Sequence, residues 1–582
     1  MLGLPKRYIR TLVILLFFLF PVAIVRFWVH WYDLGVRSSI RIAIKEGGIK
    51  DQDNLKLLDV FKNKDLKQKY VTSVGISTCL YVGNFGEFCP SFLRHLMSHG
   101  PKLFAQSELH TVRKDLSRSR KLRLAGTAHY LTYETVEVSE LITFLSHSQE
   151  TVFAVDGFRP QAEQAATSNP EFVFSLQSLT SDSVAQSDFV SEIDVLFGSD
   201  SVEPRLDWHM SKKSPLAVGK EPKFITMRKP SSLVKTLTQH RLQANEENTF
   251  KIVQLADLHF SVGEGKCRDE FPETDNCRAD PKTVSFIEKV LDSEKPQLVV
   301  FTGDQIMGDE CYLDSATALL KAVNSVISRR IPYAMVWGNH DDEGSLDRWQ
   351  LSQFVEGLPY SLFKTSERDT KDNSFGVGNY MHYVYDKNDN PASVLYFLDA
   401  HKYSPNPKAY PGYDWIKEEQ WSFMQGFENT LESQEDSLSM AFFHIPLPEY
   451  VNFRSKNSPD YDNPMIGNLK EGVTAPRYNS NGIKILRQLG VKITSVGHDH
   501  CNDYCLLDDS QSPANEDKIW LCFGGAAGEG GYAGYGGTER RIRVYQLDFS
   551  ERSIVTWKVL NSSPTSPFDV QVLVNDGVPR TG

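Results

Sequence analysis

Residues 250–259 read FKIVQLADLH, a short apolar run that ends in an aspartate and a histidine. Similar runs recur along the second half of the chain, at 252–256, 298–301, 333–337, 394–398, 440–443 and 493–496. Such runs are typical of strands that are buried on both faces of a sheet. Between the first two runs, residues 283–294 carry apolar side chains at helical spacing. We expect Asp280 to cap that helix and Pro281 to lie in its first turn.

The alternation of strands and helices predicts an α/β layered domain, whose functional residues should lie beyond the carboxyl ends of the strands. Polar clusters fall at those ends, and they are ADLH at 256–259, GD at 303–304, GNHD at 338–341, FHIP at 443–446 and GHDH at 497–500. Each cluster is a weak signal alone, because a lone histidine such as His444 more often packs in a core than binds a metal. In this order, the clusters together indicate a metal site.

This ordered set resembles the calcineurin-like metallophosphoesterase superfamily, which includes purple acid phosphatases and protein Ser/Thr phosphatases. The resemblance covers residues 249–558. Within it, HKYS at 401–404, HIPLPE at 444–449 and GHDHCNDYC at 497–505 resemble a narrower group. That group contains fungal phosphatases related to the yeast dosage-dependent cell cycle regulator and some plant purple-acid-phosphatase-like proteins. The resemblance implies an α/β fold with two mixed β-sheets packed face to face and flanked by helices.

The resemblance also implies a site for two divalent or mixed-valence metal ions. It assigns seven side chains as ligands, which are Asp257, His259 and His500 for one ion, Asn339, His444 and His498 for the other, and Asp304 as the bridge. Carboxylate, amide and imidazole ligands suit Mn, Fe or Zn better than Ca, which prefers oxygen. A hydroxide held between two such ions would be the nucleophile.

Two further residues are candidate catalytic groups by the same resemblance. His340 is expected to act as a general acid or to stabilise the transition state. Asp341 is expected to orient His340. Met307 stands where purple acid phosphatases carry the tyrosine that binds ferric iron. We therefore expect an enzyme without tyrosinate-bound iron and without the purple colour.

These features predict a phosphomonoesterase, and the narrower resemblance implies a protein Ser/Thr phosphatase with a regulatory role in the cell cycle or the unfolded-protein response. A phosphodiesterase acting on nucleotides or lipids is the alternative, because the same two-metal site serves both reactions. A non-catalytic, membrane-tethered binding protein is a third hypothesis. The net charge of −11 argues against nucleic acid as the main partner. A phosphorylated substrate, in particular a phosphoprotein, is the expected partner.

The amino terminus predicts attachment to a membrane. Residues 11–25 read TLVILLFFLFPVAIV, with three basic residues before the run and Arg26 after it. We expect a signal anchor over residues 1–32, although a cleaved signal peptide and an apolar packing helix are alternatives. The membrane is expected to be that of the endoplasmic reticulum or another endomembrane. Because basic residues flank the run on both sides, they do not predict on which side of the membrane the catalytic domain lies. A β-rich accessory domain at 33–245 and the metallophosphoesterase domain at 246–582 would follow.

Three pairs among the eight cysteines are close in sequence, and they are Cys79 with Cys89, Cys267 with Cys277, and Cys501 with Cys505. They could form disulfides in an oxidising compartment, or they could be free buried thiols. The glycine-rich segment 524–537 is expected to shape the rim of the site or to connect a hairpin. Arg540 and Arg541 beside it are expected at solvated strand ends, with contact to a phosphorylated substrate as the alternative.

Overall fold

The computed structural model of the chain describes residues 42–46, 61, 65–81, 87–88, 107–117, 126–147, 152–160, 172–179, 189–212, 215–216, 221–230, 241–366, 374–427, 437–452, 465–508, 518–534 and 537–580. The chain divides into two compact units, Met1–Ser199 with Asp207–Val234 and Asp200–Leu206 with Lys235–Gly582. The predicted domain boundaries stay predictions. The expected signal anchor at 1–32 lies outside the described residues, and within the described ranges no helix has the length and apolar composition needed to cross a membrane.

The first unit is built mainly from strands. Its elements are β1 (Ile42–Glu46), β2 (Lys69–Tyr81), β3 (Glu87–Phe88), β4 (Glu108–Thr111), β5 (Gly126–Glu137), α1 (Val138–His147), β6 (Phe153–Pro160), β7 (Phe172–Ser178), β8 (Glu192–Phe197), β9 (Trp208–Met210) and β10 (Lys223–Arg228). They form sheets of order β1-β7-β6, β8-β10-β9 and β3-β2-β5-β4. Leu141 and Leu145 of α1 are buried in one apolar cluster with Tyr70 of β2 and Ala154 of β6. This cluster provides a hydrophobic core within the unit.

The second unit contains the α/β architecture that the sequence predicts. Its strands are β11 (Leu242–Gln243), β12 (Thr249–Leu255), β13 (Leu298–Thr302), β14 (Tyr333–Val336), β15 (Tyr380–Tyr385), β16 (Pro391–Phe397), β17 (Ser439–Phe442), β18 (Val491–Val496), β19 (Cys505–Asp508), β20 (Ile519–Phe523), β21 (Arg541–Asp548), β22 (Ser553–Leu560), β23 (Ser563–Asn575) and β24 (Val578–Pro579). Its helices are α2 (Ala279–Glu294), α3 (Ser315–Ser328), α4 (Arg348–Glu356), α5 (Glu418–Gln425) and α6 (Gly482–Gln488). The strands of the apolar runs are almost fully buried, as expected for strands covered on both faces.

Two seven-stranded mixed sheets contain these strands, in the orders β11-β15-β16-β17-β18-β20-β19 and β14-β13-β12-β21-β22-β23-β24. Central strands of the two sheets are joined by buried side chains. Gln254 of β12 donates to the Val496 carbonyl oxygen at 3.0 Å, and Ser495 of β18 lies 2.7 Å from the Tyr545 hydroxyl of β21. These contacts confirm the prediction of mixed sheets that pack against each other.

Helix α2 begins differently from the prediction. Arg278 is its N-cap residue, and Asp280 lies inside the first turn with Pro281. The Asp280 carboxylate accepts from the Ser261 backbone at 3.0 Å and from Lys321 Nζ at 2.5 Å. Asp280 is therefore not a cap, because its carboxylate is committed to a buried ion pair and to the loop that follows β12.

Candidate metal centre

The predicted site residues lie at the carboxyl ends of parallel strands. Strands β12, β13 and β14 are parallel neighbours in one sheet, and β16, β17, β18 and β20 are parallel neighbours in the other. The residues that follow five of these strands are Asp257 and His259 after β12, Asp304 after β13, Asn339 and His340 after β14, His444 after β17, and His498 and His500 after β18. Parallel strands place these loops at one edge of the fold.

One group of predicted ligands surrounds a common space. The Nε2 atoms of His259 and His500 are 3.1 Å apart. His259 Nε2 lies 3.8 Å from Asp304 Oδ2, and His500 Nε2 lies 3.6 Å from Asp257 Oδ1. Each of the four buried side chains offers a ligand atom within 4.8 Å of the others. The group therefore has the residue types and the spacing of a cation site.

The second group shares an atom with the first. His444 Nε2 lies 3.2 Å from Asn339 Oδ1 and 3.3 Å from His498 Nδ1. It also lies 3.4 Å from Asp304 Oδ2, the same oxygen that faces His259. The carboxylate of Asp304 is therefore placed between the two groups, which is the position of the predicted bridging ligand.

The polar atoms of the site fit bound cations. Asp257 Oδ2 is buried and has no hydrogen-bond partner among the described residues. Burial raises the pKa of Asp257 to about 8 and lowers the pKa of His498 to about 3. Burial likewise lowers the pKa of His259 to about 3, so its ring is neutral, the form that binds metals. A cation would offset the cost of ionising the buried carboxylates.

The backbone at four of these positions has left-handed conformation. The φ angles are 53° at Asp257, 50° at His259, 51° at Asp304 and 76° at His498. Such angles cost about 1–3 kcal/mol at non-glycine residues and concentrate at functional sites. The surrounding fold must therefore hold these loops in place.

Hydrogen bonds to backbone carbonyls fix the orientation of two predicted ligand rings. His444 Nδ1 donates to the Thr302 carbonyl oxygen at 2.8 Å, and His500 Nδ1 donates to the Tyr532 carbonyl oxygen at 2.8 Å. In each ring this leaves Nε2 to face the other ligands.

Asp341 does not orient His340, contrary to the prediction. Its buried carboxylate accepts from the backbone amides of Gly338 at 2.7 Å, Asp304 at 3.0 Å and Ile306 at 3.1 Å. These three bonds already engage both carboxylate oxygens. Asp341 therefore holds together the two loops that carry Asp304 and Asn339.

Glu343 takes the role that was predicted for Asp341. Its Oε2 accepts from His340 Nδ1 at 2.7 Å, in the short 3-10 turn that follows His340. Burial opposes protonation of His340, but the charge of Asp304 and the bond to Glu343 outweigh it and raise the pKa of His340. The only sequence signal for this contact is the spacing of three residues, which brings side chains together in a helical turn.

A pocket of about 290 Å³ opens onto the two ligand groups. The Tyr532 ring stacks on His500 with ring centroids 3.9 Å apart, and the Tyr413 ring meets the His498 ring edge-on at 4.4 Å. A Cβ atom on Gly531 would lie 2.6 Å from ring atoms of both His259 and His500. The glycine-rich segment therefore packs on the site, which agrees with the rim interpretation.

Arg540 and Arg541 are buried, so neither sequence interpretation of this pair is correct. Arg540 donates to the carbonyl oxygens of Gly531 at 2.6 Å and Tyr532 at 2.9 Å, and Arg541 pairs with Asp503 at 2.6 Å. The Arg540 guanidinium therefore supports the glycine-rich segment, and the Arg541 guanidinium supports the loop after β18 through Asp503 and the His500 carbonyl oxygen. They are not at solvated strand ends and do not line the pocket.

One of the disulfides considered from the sequence is present in the structure, and another is replaced by a different pairing. Cys267 is bonded to Cys277, as considered. Cys505 is bonded to Cys522, because the two residues lie opposite each other on the antiparallel strands β19 and β20. Cys501 is a buried free thiol. Cys79 is also disulfide-bonded.

The chain is similar to known phosphoesterases and phosphatases. The sequence pattern described as "Calcineurin-like phosphoesterase" matches residues 250–502. The chain is 45% identical to "Phosphatase DCR2" of Saccharomyces cerevisiae over the whole length of both chains. It is 33% identical to "Probable inactive purple acid phosphatase 29" of Arabidopsis thaliana, over 60% of this chain and 91% of that protein. A crystal structure of a dimetal phosphatase from Danio rerio matches with a TM-score of 0.36 at 14% identity, covering 55% of this chain and 98% of that one.

Proposed function

The chain belongs to the calcineurin-like phosphoesterase family, and we propose that it is a two-metal phosphomonoesterase that acts on phosphorylated serine and threonine in proteins. One observation carries the two-metal part of this proposal. The seven predicted ligands meet as two groups of facing nitrogen and oxygen atoms, and Asp304 Oδ2 belongs to both groups. The similarity to a protein named as a phosphatase supports the choice of reaction.

The donor set indicates which ions would fit. Carboxylate and imidazole groups of Asp257, His259, His500 and Asp304 would hold one ion, and Mn, Fe or Zn suits this mixture. Asn339, His444 and His498 would hold the other, with the same Asp304 carboxylate between them. Bound there, two such ions would supply Lewis acidity toward the phosphoryl oxygens and a water whose lowered pKa makes it nucleophilic near neutral pH.

The protein's own residues would position the ester and protonate its leaving oxygen. His340 lines the pocket and is partly exposed, and its Nδ1 is engaged by Glu343. The free nitrogen, Nε2, is then the atom that donates a proton to the leaving oxygen. Since Tyr413 and Tyr532 pack against ligand rings, they keep part of the site covered from solvent.

The main alternative is hydrolysis of diesters in nucleotides or lipids. The purified full-length chain, assayed with a phosphoserine peptide, p-nitrophenyl phosphate and bis-p-nitrophenyl phosphate, separates the two reactions. We expect the monoesters to be hydrolysed faster, and the Asp304→Asn variant to be inactive on all three. A preference for the diester would replace the proposal by the alternative.

The remaining alternative is a binding protein without catalysis, because some similar plant proteins are named as probably inactive. All seven predicted ligand positions of this chain are occupied by residues that can bind a metal. Replacement of the chromosomal copy by the Asp304→Asn variant should therefore reproduce the phenotype of a deletion. Full biological activity of that variant would support the binding protein.

We also propose attachment to an endomembrane through residues 1–32. The disulfides Cys267–Cys277 and Cys505–Cys522 favour a catalytic domain on the oxidising side, because such bonds persist in oxidising compartments. A phosphatase for cytosolic phosphoproteins needs the cytosolic side instead, so protease protection decides between the two sides. A role in cell-cycle entry or in the unfolded-protein response is proposed from the narrower motif resemblance at 401–404, 444–449 and 497–505. Intact microsomes treated with protease should protect the catalytic domain. Its digestion would instead indicate the cytosolic side.

A further inference from the structure

We propose that Arg268 binds the phosphoryl group of the substrate at the mouth of the pocket and thereby favours monoesters over diesters. The inference rests on the proposed function and adds a specificity-determining residue to it. Arg268 lines the same pocket as His259, His340 and His500, although it lies outside every sequence motif of the site.

The backbone of Arg268 is fixed on both sides. Its amide donates to the Glu529 carbonyl oxygen at 2.9 Å, and its carbonyl oxygen accepts from Arg540 Nη2 at 2.8 Å. The preceding residue forms the disulfide with Cys277, and the carboxylate of the following residue accepts from the Ala533 amide at 3.0 Å. The fold therefore holds the backbone of Arg268 at a defined place on the rim.

The guanidinium of Arg268, in contrast, makes few contacts with the protein. Its side chain is 47% exposed, and its ion pair with Glu310 is long, at 3.8 Å. It donates no hydrogen bond to any residue in the described part of the chain. Buried Arg540, by comparison, donates to three backbone carbonyls and contacts a carboxylate. A half-exposed guanidinium on a fixed backbone beside the pocket, with only one long ion pair to a described residue, is suited to an anionic ligand.

Charge explains why this residue would distinguish the two classes of ester. Among the described residues that line the pocket, Arg268 is the one lysine or arginine, whereas Asp304, Asp309 and Glu343 are acidic. A phosphomonoester brings up to two negative charges and three terminal oxygens, whereas a diester brings one charge and two such oxygens. The guanidinium charge attracts a doubly charged monoester more strongly than a singly charged diester, and the third terminal oxygen of the monoester gives the fork one more acceptor, so its contribution is larger for that class.

The test uses the metal-loaded full-length chain and three variants. Arg268→Ala removes the group, and Arg268→Lys keeps the charge without the fork. Arg278→Ala is the matched control, because Arg278 follows the other cysteine of the same disulfide, is 63% exposed and pairs with Glu264 outside the pocket. The readouts are kcat/KM for p-nitrophenyl phosphate and bis-p-nitrophenyl phosphate, and the affinity for inorganic phosphate from calorimetry.

We expect Arg268→Ala to lower monoester kcat/KM and phosphate affinity by about 10-fold, the size typical of a charge-assisted hydrogen bond in a half-exposed setting. Diester hydrolysis should stay near wild type, Arg268→Lys should be intermediate, and Arg278→Ala should resemble wild type. Equal losses on both esters, or no loss, would overturn the inference. If the wild type hydrolyses neither ester, the proposed function fails, but the phosphate titration still tests the anion site. A lower phosphate affinity in Arg268→Ala would support the site. An unchanged affinity, or no phosphate binding at all, would overturn it.

Discussion

Replacement of Glu343 by glutamine should slow the reaction selectively for substrates with poor leaving groups. The perturbed contact is the 2.7 Å hydrogen bond between His340 Nδ1 and Glu343 Oε2, whose side chains are 32% and 34% exposed. A hydrogen bond to a charged group contributes about 1.5–3 kcal/mol, and solvent screening at this exposure reduces that to about 1 kcal/mol. A loss of about 1 kcal/mol corresponds to about a fivefold decrease in rate.

The assay compares kcat for two monoesters with the metal-loaded protein. Phosphoserine peptide releases an alkoxide, which needs a proton from His340, so its kcat should fall about fivefold in Glu343→Gln. p-Nitrophenyl phosphate releases a stable anion, so its kcat should change little. Glu356→Gln removes the same charge at a carboxylate that does not line the pocket, and it should match wild type for both substrates.

Two results would contradict this reasoning. Equal losses on both substrates would show that Glu343 supports the local fold and has no part in proton donation. A second test combines Glu343→Gln with His340→Asn, where no additional loss is expected because Glu343 acts through the histidine. A fully additive loss in the double variant would therefore refute the assignment.

Three other outcomes follow from the geometry of the site. Gly531→Ala places a Cβ atom 2.6 Å from two predicted ligand rings, so the metal content of this variant, measured by mass spectrometry, should fall. Gly472→Ala is the control, because no atom lies within 4 Å of the added Cβ, and it should retain the wild-type metal content. Chelation should lower Tm, because bound cations stabilise the folded state and offset the buried charge of Asp257, and an unchanged Tm after verified metal loss would contradict this. The visible spectrum of iron-loaded protein should lack a tyrosinate charge-transfer band, because residue 307 is methionine.

Much of the catalytic unit was predictable because its signals are local. Apolar runs and polar ends recur along the chain, and β12, β13, β14, β16, β17 and β18 lie within a few residues of the predicted runs. Parallel strands then bring their ends to one edge without further information. The grouping of the seven predicted ligands follows from residue type and strand order, although their identity as metal ligands stays a prediction.

The supports of the site were not predictable because they depend on tertiary contacts. Arg540 looks like a solvent-facing residue in the sequence, yet it is buried against carbonyl oxygens of the glycine-rich segment. Cys505 has a closer neighbour in Cys501, but the register of two antiparallel strands pairs it with Cys522. Arg268 carries no motif at all, and only the fold brings it to the pocket. Distances along the chain say little about such contacts.

The segment 339–343 shows why a motif can reveal ligands and still conceal mechanism. Asn339 faces the second ligand group, and His340 reaches the pocket. Asp341 turns inward to three backbone amides, Asp342 pairs with Lys402 at 2.7 Å, and Glu343 returns to His340. Three adjacent acids therefore have three different partners, because a tight turn points successive side chains in different directions. Residue type predicts that such a segment is functional, but the direction of each side chain decides which acid acts on the histidine.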